Sequence, residues 1–125
     1  MRRKVVKKNC IVRGNKIEQK VATILSSMKV SFEQEVQIGK YNVDFLINNE
    51  YIVECYGDFW HCNPQKYKSE YFNRGKKKTA KEIWERDLER KKLFEKMGYK
   101  FIHLWECDIR NNTKKVKSRL KKFLR

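Results

Sequence analysis

Glu18, Asp44, Glu54, His61 and Asp87 are the side chains whose types and spacing could bind a cation and move a proton. A three-residue connection, Asn48-Asn49-Glu50, between the β-like runs Tyr41 to Asn48 and Tyr51 to Tyr56 pairs Ile47 with Tyr51 and Leu46 with Ile52. The same register sets Asp44 opposite Glu54. Residues opposed across two strands have Cβ atoms about 5 Å apart, so two carboxylates there repel. A divalent cation relieves the repulsion: hard oxygen donors suit Mg²⁺, with Mn²⁺ as a substitute, and a backbone carbonyl can complete the set. The alternative is a solvated sheet face carrying ordinary acids. Alternation puts Tyr41, Val43, Phe45 and Ile47 on one face and Asn42, Asp44 and Leu46 on the other. The acids therefore share their face with Leu46 and Ile52, which favours the cation.

Asp87 falls within the apolar arc that Ile83, Trp84, Phe94 and Met97 set on a helix, so it faces the interior. A surface pair with Arg90 or Lys91 at i+3 and i+4 accounts for it equally well. Glu18 flanks the buried stripe of another helix, and Asn15-x-x-Glu18 has capping-box spacing, a local role that needs no chemistry. His61 follows the end of a strand, close in sequence to the acids, where a neutral imidazole could take a proton from water near pH 7. A plain loop histidine is the competing account. His103, within Phe101 to Trp105, reads as a core residue.

These side chains need elements to hold them. From Asn15 a helix is expected, with Ile17, Val21, Ile24, Leu25 and Met28 at helical spacing. Three strands follow, Val30 to Ile38, Tyr41 to Asn48 and Tyr51 to Tyr56, with turns at Gly39-Lys40 and at Asn48-Asn49-Glu50. Asp58 to Thr79 reads as a long basic, aromatic loop. A second helix over Ala80 to Met97 stops at Gly98, a strand covers Tyr99 to Trp105, and a basic amphipathic helix covers residues 113–125. The expected order is α-β-β-β-α-β-α in a single domain over residues 1–125, preceded by a basic arm, Met1 to Gly14.

The 125 residues carry 31 Lys and Arg against 15 Asp and Glu, a net charge of +16. Such an excess favours a polyanion through counterion release, and nucleic acid is the first candidate. Lys66, Lys68, Arg74, Lys76, Lys77 and Lys78 concentrate in the loop and would grip a phosphate backbone; charge alone does not separate DNA from RNA. No apolar run approaches ~18 residues and no signal peptide is evident, which points to an intracellular protein without a membrane span. Cys10, Cys55, Cys62 and Cys107 form no C-x-x-C pair, so reduced thiols are expected.

The segments NKIEQKVATILSSM, NVDFLINNEYIVECYGDFWHC and IWERDLERKKLFEKMGYKFIHLWEC resemble the very-short-patch repair (Vsr) type of endonuclease in the PD-(D/E)XK superfamily. Within it, Glu18, Asp44, a variable position, His61 and Asp87 are similar to the motif of the EDxHD homing endonucleases. The resemblance implies a restriction-endonuclease-like α/β fold, a central mixed sheet flanked by helices. It makes Asp44 the metal-binding acid, Glu54 the acid of the E-x-K element with Tyr56 at the lysine position, and the Cys55 carbonyl a backbone ligand. It also implies a catalytic His61 supported by Asp87, Glu18 holding a metal-bound water, and Phe59-Trp60 stacking into DNA; a loop plug over the sheet is the alternative for that aromatic pair. Repair enzymes of this type carry a structural zinc. Here Asp58 stands at one cysteine position and Asn63 at a histidine position, leaving Cys62 and Cys107, which argues against zinc.

The expected function is a Mg²⁺-dependent endonuclease hydrolysing double-stranded DNA, with a mobile-element role ahead of T:G mismatch repair. No recognition module is evident, so target choice would rest on DNA shape, a larger protein or a second subunit. A nuclease-like DNA-binding module without catalysis is the rival.

Overall fold

The computed structural model describes residues 3–5 and 15–125. The elements, in chain order, are β1 (Arg3–Val5), α1 (Lys16–Ser27), β2 (Glu33–Ile38), β3 (Tyr41–Ile47), β4 (Tyr51–Tyr56), β5 (Phe72–Asn73), β6 (Lys78–Thr79), α2 (Ala80–Lys96), β7 (Lys100–Trp105), α3 (Glu106–Asn111) and α4 (Thr113–Phe123). Five strands form a mixed sheet in the order β1-β2-β3-β4-β7, antiparallel except for the parallel pair β4–β7. The expected α-β-β-β-α-β-α core is present. Added to it are β1 within the basic arm, the β5–β6 hairpin within the expected loop, and α3. The rest of the arm, Cys10 included, lies outside the described residues. Among the described residues no helix is long and apolar enough to cross a membrane.

Each face of the sheet has its own core. On one side Val21 and Leu25 of α1, Ile109 of α3, and Val116 and Leu120 of α4 pack on Phe45, Val53 and Leu104. On the other, Phe94 of α2 meets Val36, Val43, Leu46, Ile52 and Phe101. Sandwiching the sheet this way explains why β4 is buried along nearly its whole length, as a strand with helices on both faces should be.

The turn chemistry matches the sequence. Asn48 and Asn49 both take left-handed φ values, 53° and 56°, a conformation that asparagine tolerates better than most residues. The connection is the expected three-residue one, and Ile47–Tyr51 and Leu46–Ile52 are paired as that length requires. α2 opens on a full capping box: Thr79 accepts from the Glu82 amide, and the Glu82 carboxylate accepts from the Thr79 amide. It closes on Gly98 at φ 99°, with Gly98 N–H donating to Glu95 O and Tyr99 N–H to Phe94 O, a Schellman motif.

One expectation about the strands is corrected. Val43 packs on the α2 side and Phe45 on the α1 side, although strict alternation would put them together. Val43 and Leu46 share a face, so β3 reverses its pleat once, around Asp44. The same reversal occurs in β2, where Phe32 packs toward α1 but Val36 toward α2. Between them Glu35 has φ 53°, and the register sets it opposite Asp44. A non-glycine residue rarely adopts this conformation within a strand, and where it does the surrounding structure must impose it.

The capping box sets a measurable contribution. Thr79→Ala should lower stability by about 1 kcal/mol, read as a lower urea midpoint with an unchanged slope.

Candidate active site

Asp44 sits where β3 and β4 stop pairing through their backbones. The last ladder partners are Phe45 and Val53. Beyond them Cys55 N–H donates to Asp44 Oδ2 at 2.8 Å, and Asp44 N–H donates to Glu54 Oε2 at 2.9 Å. Side-chain carboxylates thus take the place of carbonyl acceptors, and both acids are fixed by backbone donors.

Glu54 does not join the acidic cluster. Its other oxygen accepts from Arg90 Nη2 at 2.8 Å, and the same guanidinium donates to the Asn42 carbonyl at 2.8 Å. Arg90 lies over the rings of Tyr41 and Phe94. Burial and the Asp44 charge push the Glu54 carboxyl up; Arg90 and the Asp44 amide pull it back.

The carboxylates that do converge belong to Glu18, Glu35 and Asp44, whose ligand atoms all lie within 4.8 Å of one another. The pleat reversal at Glu35 and Asp44 accompanies this convergence. Asn15 caps α1 by accepting from the Glu18 amide, while the Glu18 carboxylate belongs to this cluster. Its Oε2 is buried with no hydrogen-bond partner. Burial, the Asp44 charge and Glu35 raise the Glu18 carboxyl to about 8, and burial raises Asp44 to about 6 against the pull of the Cys55 amide. Three acids at this separation, one with an orphaned buried oxygen, suit a hard divalent cation. Of the carboxylates expected as ligands, Asp44 belongs to this cluster and Glu54 does not.

On the α2 side His61 Nδ1 lies 2.9 Å from Asp87 Oδ2. A carboxylate only accepts, so Nδ1 carries the proton, and in the neutral ring Nε2 is left as the acceptor. Asp87 thus turns inward to the histidine, and it is Glu54, not Asp87, that Arg90 meets. His61, Asp87, Arg86, Lys76 and Lys78 line a cleft of about 710 Å³ between α2 and the β5–β6 hairpin.

The loop carrying His61 is tied at both ends. Asp58, buried, accepts from Asn63 Nδ2 at 3.0 Å and Lys66 Nζ at 2.9 Å, and its own amide donates to Glu106. Burial raises the Asp58 carboxyl, but the hydrogen bonds from Asn63 and Lys66 outweigh it and hold the group below its usual range. Lys66 is exposed but tethered to this corner; Lys68, Arg74 and Lys77 are exposed as well. The Cys62 thiol faces the Phe59 carbonyl and Asn73, while that of Cys107 faces Asn111. Further along, Asn73 Nδ2 donates to the Phe59 carbonyl and Trp84 Nε1 to the Cys62 carbonyl.

Phe59 and Trp60 are exposed, at 38% and 51%, and so are Tyr71 and Phe72 beside the hairpin, at 37% and 53%. The Trp60 ring covers Gly75: a Cβ there would come within 2.7 Å of it. Sequence reasoning missed Glu35, Arg90 and the Tyr71-Phe72 pair. A glutamate inside a polar strand, an arginine three residues after an aspartate, and aromatics in a loop of uncertain form carry no distinguishing pattern.

Fold and site together define a small α/β domain whose mixed sheet brings a carboxylate cluster and a His–Asp couple to the same end of β4. The chain is similar in structure to the catalytic domain of the homing endonuclease I-Bth0305I, with a TM-score of 0.62 and 18% sequence identity, over 88% of this chain and 94% of that one. No protein-family model and no curated protein matches the chain.

Two expectations follow. Gly75→Ala should push the Trp60 ring off the hairpin, seen as a change in tryptophan emission and acrylamide quenching. The second concerns pH. Glu18 and Asp44 hold protons in the fold at pH values where the unfolded chain has lost them, so the stability they give is full below about pH 4 and lost as pH rises through about 6 and 8. In EDTA the thermal midpoint should fall from pH 5 to 8.5, and Glu18→Gln should flatten the fall.

Proposed function

We propose that this protein is a divalent-metal-dependent endonuclease that hydrolyses phosphodiester bonds of double-stranded DNA, a Vsr-like member of the PD-(D/E)XK group nearest in motif to the EDxHD homing enzymes. The observation that carries the reading is the convergence of three carboxylates beside a His61–Asp87 couple, in a fold shared with a homing endonuclease catalytic domain. Asp44, Glu18 and Glu35 would hold Mg²⁺ or Mn²⁺. The Cys55 carbonyl is a further ligand on the resemblance alone. Bound there, the ion would polarise the scissile phosphate and lower the pKa of water.

The chain's own residues do the rest. His61 Nε2 accepts the proton of the attacking water, and Asp87 keeps Nδ1 protonated and the ring in that tautomer. Glu54, neutralised by Arg90, holds the Asp44 amide and so the angle of the metal-binding acid. Lys76, Lys78 and Arg86 line the cleft beside His61 and attract the phosphate chain; Lys68, Arg74 and Lys77 extend that surface. Phe59, Trp60 and Phe72 are exposed aromatics of the kind that wedge between base pairs. A homing-type role, like that named for I-Bth0305I, accords with the shared fold.

Supercoiled plasmid in Mg²⁺ or Mn²⁺ tests the reading. The parent should nick or linearise it, and EDTA should stop it. Asp44→Ala and Glu35→Ala should lose most activity, and His61→Ala should fall by about 10²- to 10⁴-fold, all with DNA binding kept. Full activity in Asp44→Ala or His61→Ala would overturn the site; an inactive parent that binds DNA tightly would support the non-catalytic module, which Tyr56 at the lysine position favours.

A further inference from the structure

Tyr56 closes β4, two residues after Glu54, and none of the roles above uses it. Its ring lies between two imidazoles. His61 stacks on one face at 3.9 Å between centroids with the planes 4° apart, and His103 on the other at 4.6 Å and 9°. Trp105 stands edge-on to both Tyr56 and His103, at 5.4 Å from each. The parallel register generates the arrangement, since it pairs Tyr56 with Trp105 and Glu54 with His103. Tyr56 is 5% exposed, so the middle ring of the stack is buried, while both imidazoles are half-buried beside it.

A single hydrogen bond from Nδ1 to Asp87 fixes one atom of the His61 ring and leaves the ring able to tilt about that contact. A flat neighbour parallel to within a few degrees removes the tilt. We propose that Tyr56 is a positioning residue: backed by His103, it holds the His61 imidazole in the one orientation that satisfies Asp87 and aims Nε2 into the cleft. A lysine at this position offers a point charge and a flexible stem, and neither can orient a ring. Burial holds His103 down to about 4, so near neutral pH the backing ring is uncharged and sets no positive charge beside His61.

The catalytic consequence rests on the endonuclease reading; the orientation does not, and the two can be separated. The Cε1–H proton of His61, identified by its loss in His61→Gln, should resonate upfield through the ring current of Tyr56. Tyr56→Phe keeps the ring and should keep both this shift and the cleavage rate. Tyr56→Met removes the ring at similar length. It should return the resonance to the position of an unstacked histidine and lower the single-turnover cleavage rate by about 10²-fold, the effect of a misplacement near 1 Å, with DNA affinity unchanged.

A folded Tyr56→Met variant with the parental resonance and rate would overturn the proposal, as would a Tyr56→Phe variant as impaired as Tyr56→Met. Thermal melts establish that each variant folds. Should Tyr56→Met fail to do so, His103→Ala removes the backing ring from a half-buried position. A loosened His61 resonance then supports the proposal and an unmoved one overturns it. A parent that never cleaves would sink the endonuclease reading, and the resonance would still decide whether Tyr56 orients His61.

Discussion

Between β3 and β4, past Phe45 and Val53, backbone donors are satisfied by carboxylates, and most of the site depends on that exchange. A buried amide must find an acceptor. Cys55 finds Asp44 and Asp44 finds Glu54, so two acids are locked to rigid strands by bonds the fold requires in any case. The arrangement has a local cost, two acids drawn together in a partly buried setting. Arg90 offsets it on the α2 side. On the α1 side the pleat reversal at Glu35 and Asp44 adds two more carboxyls and leaves charge that only protons or a cation can balance. Asp44 is therefore where the two halves of the molecule meet.

The aromatic loop shows a different solution to anchoring. A buried aspartate with Lys66, Asn63 and the start of α3 around it pins residues 58–67 to the far end of β7. With its lysine exposed, the ion pair adds little net stability, while the buried carboxylate needs all of these donors. It specifies where the chain goes. Asn73 and Trp84 then bind the loop's other carbonyls, so His61 and the exposed aromatics sit on a platform held from three elements.

Much of this was legible in the chain. Two asparagines and a glutamate between apolar runs gave the loop length, and with it the register that set Asp44 beside Glu54. For Asp87 the spacing left an inward position and a surface pair with Arg90 or Lys91 equally open, and its contact is with His61. What escaped was non-local. Glu35 owes its backbone conformation to the strands around it, and no residue type at that position signals it. Arg90 had a sufficient local partner in Asp87, three residues away, and its actual partner, Glu54, comes from β4. An unbroken pleat would put Val43 beside Phe45, and the reversal around Asp44 parts them. β5, β6 and α3, of two to six residues, are too short to show a period.

The parallel pairing of β4 with β7 also orders events in time. β7 can add to the sheet only after the hairpin and all of α2 have been laid down between them, and closing so large a loop is among the slower steps in folding a chain of this size. His103 and Trp105 arrive with that last strand. A ribosome-bound chain that has emerged only through α2 already carries Glu18, Asp44, His61 and Asp87, yet has nothing behind Tyr56 and no completed sheet beneath them. The rings that back Tyr56 are thus the last part of the site's surroundings to be supplied.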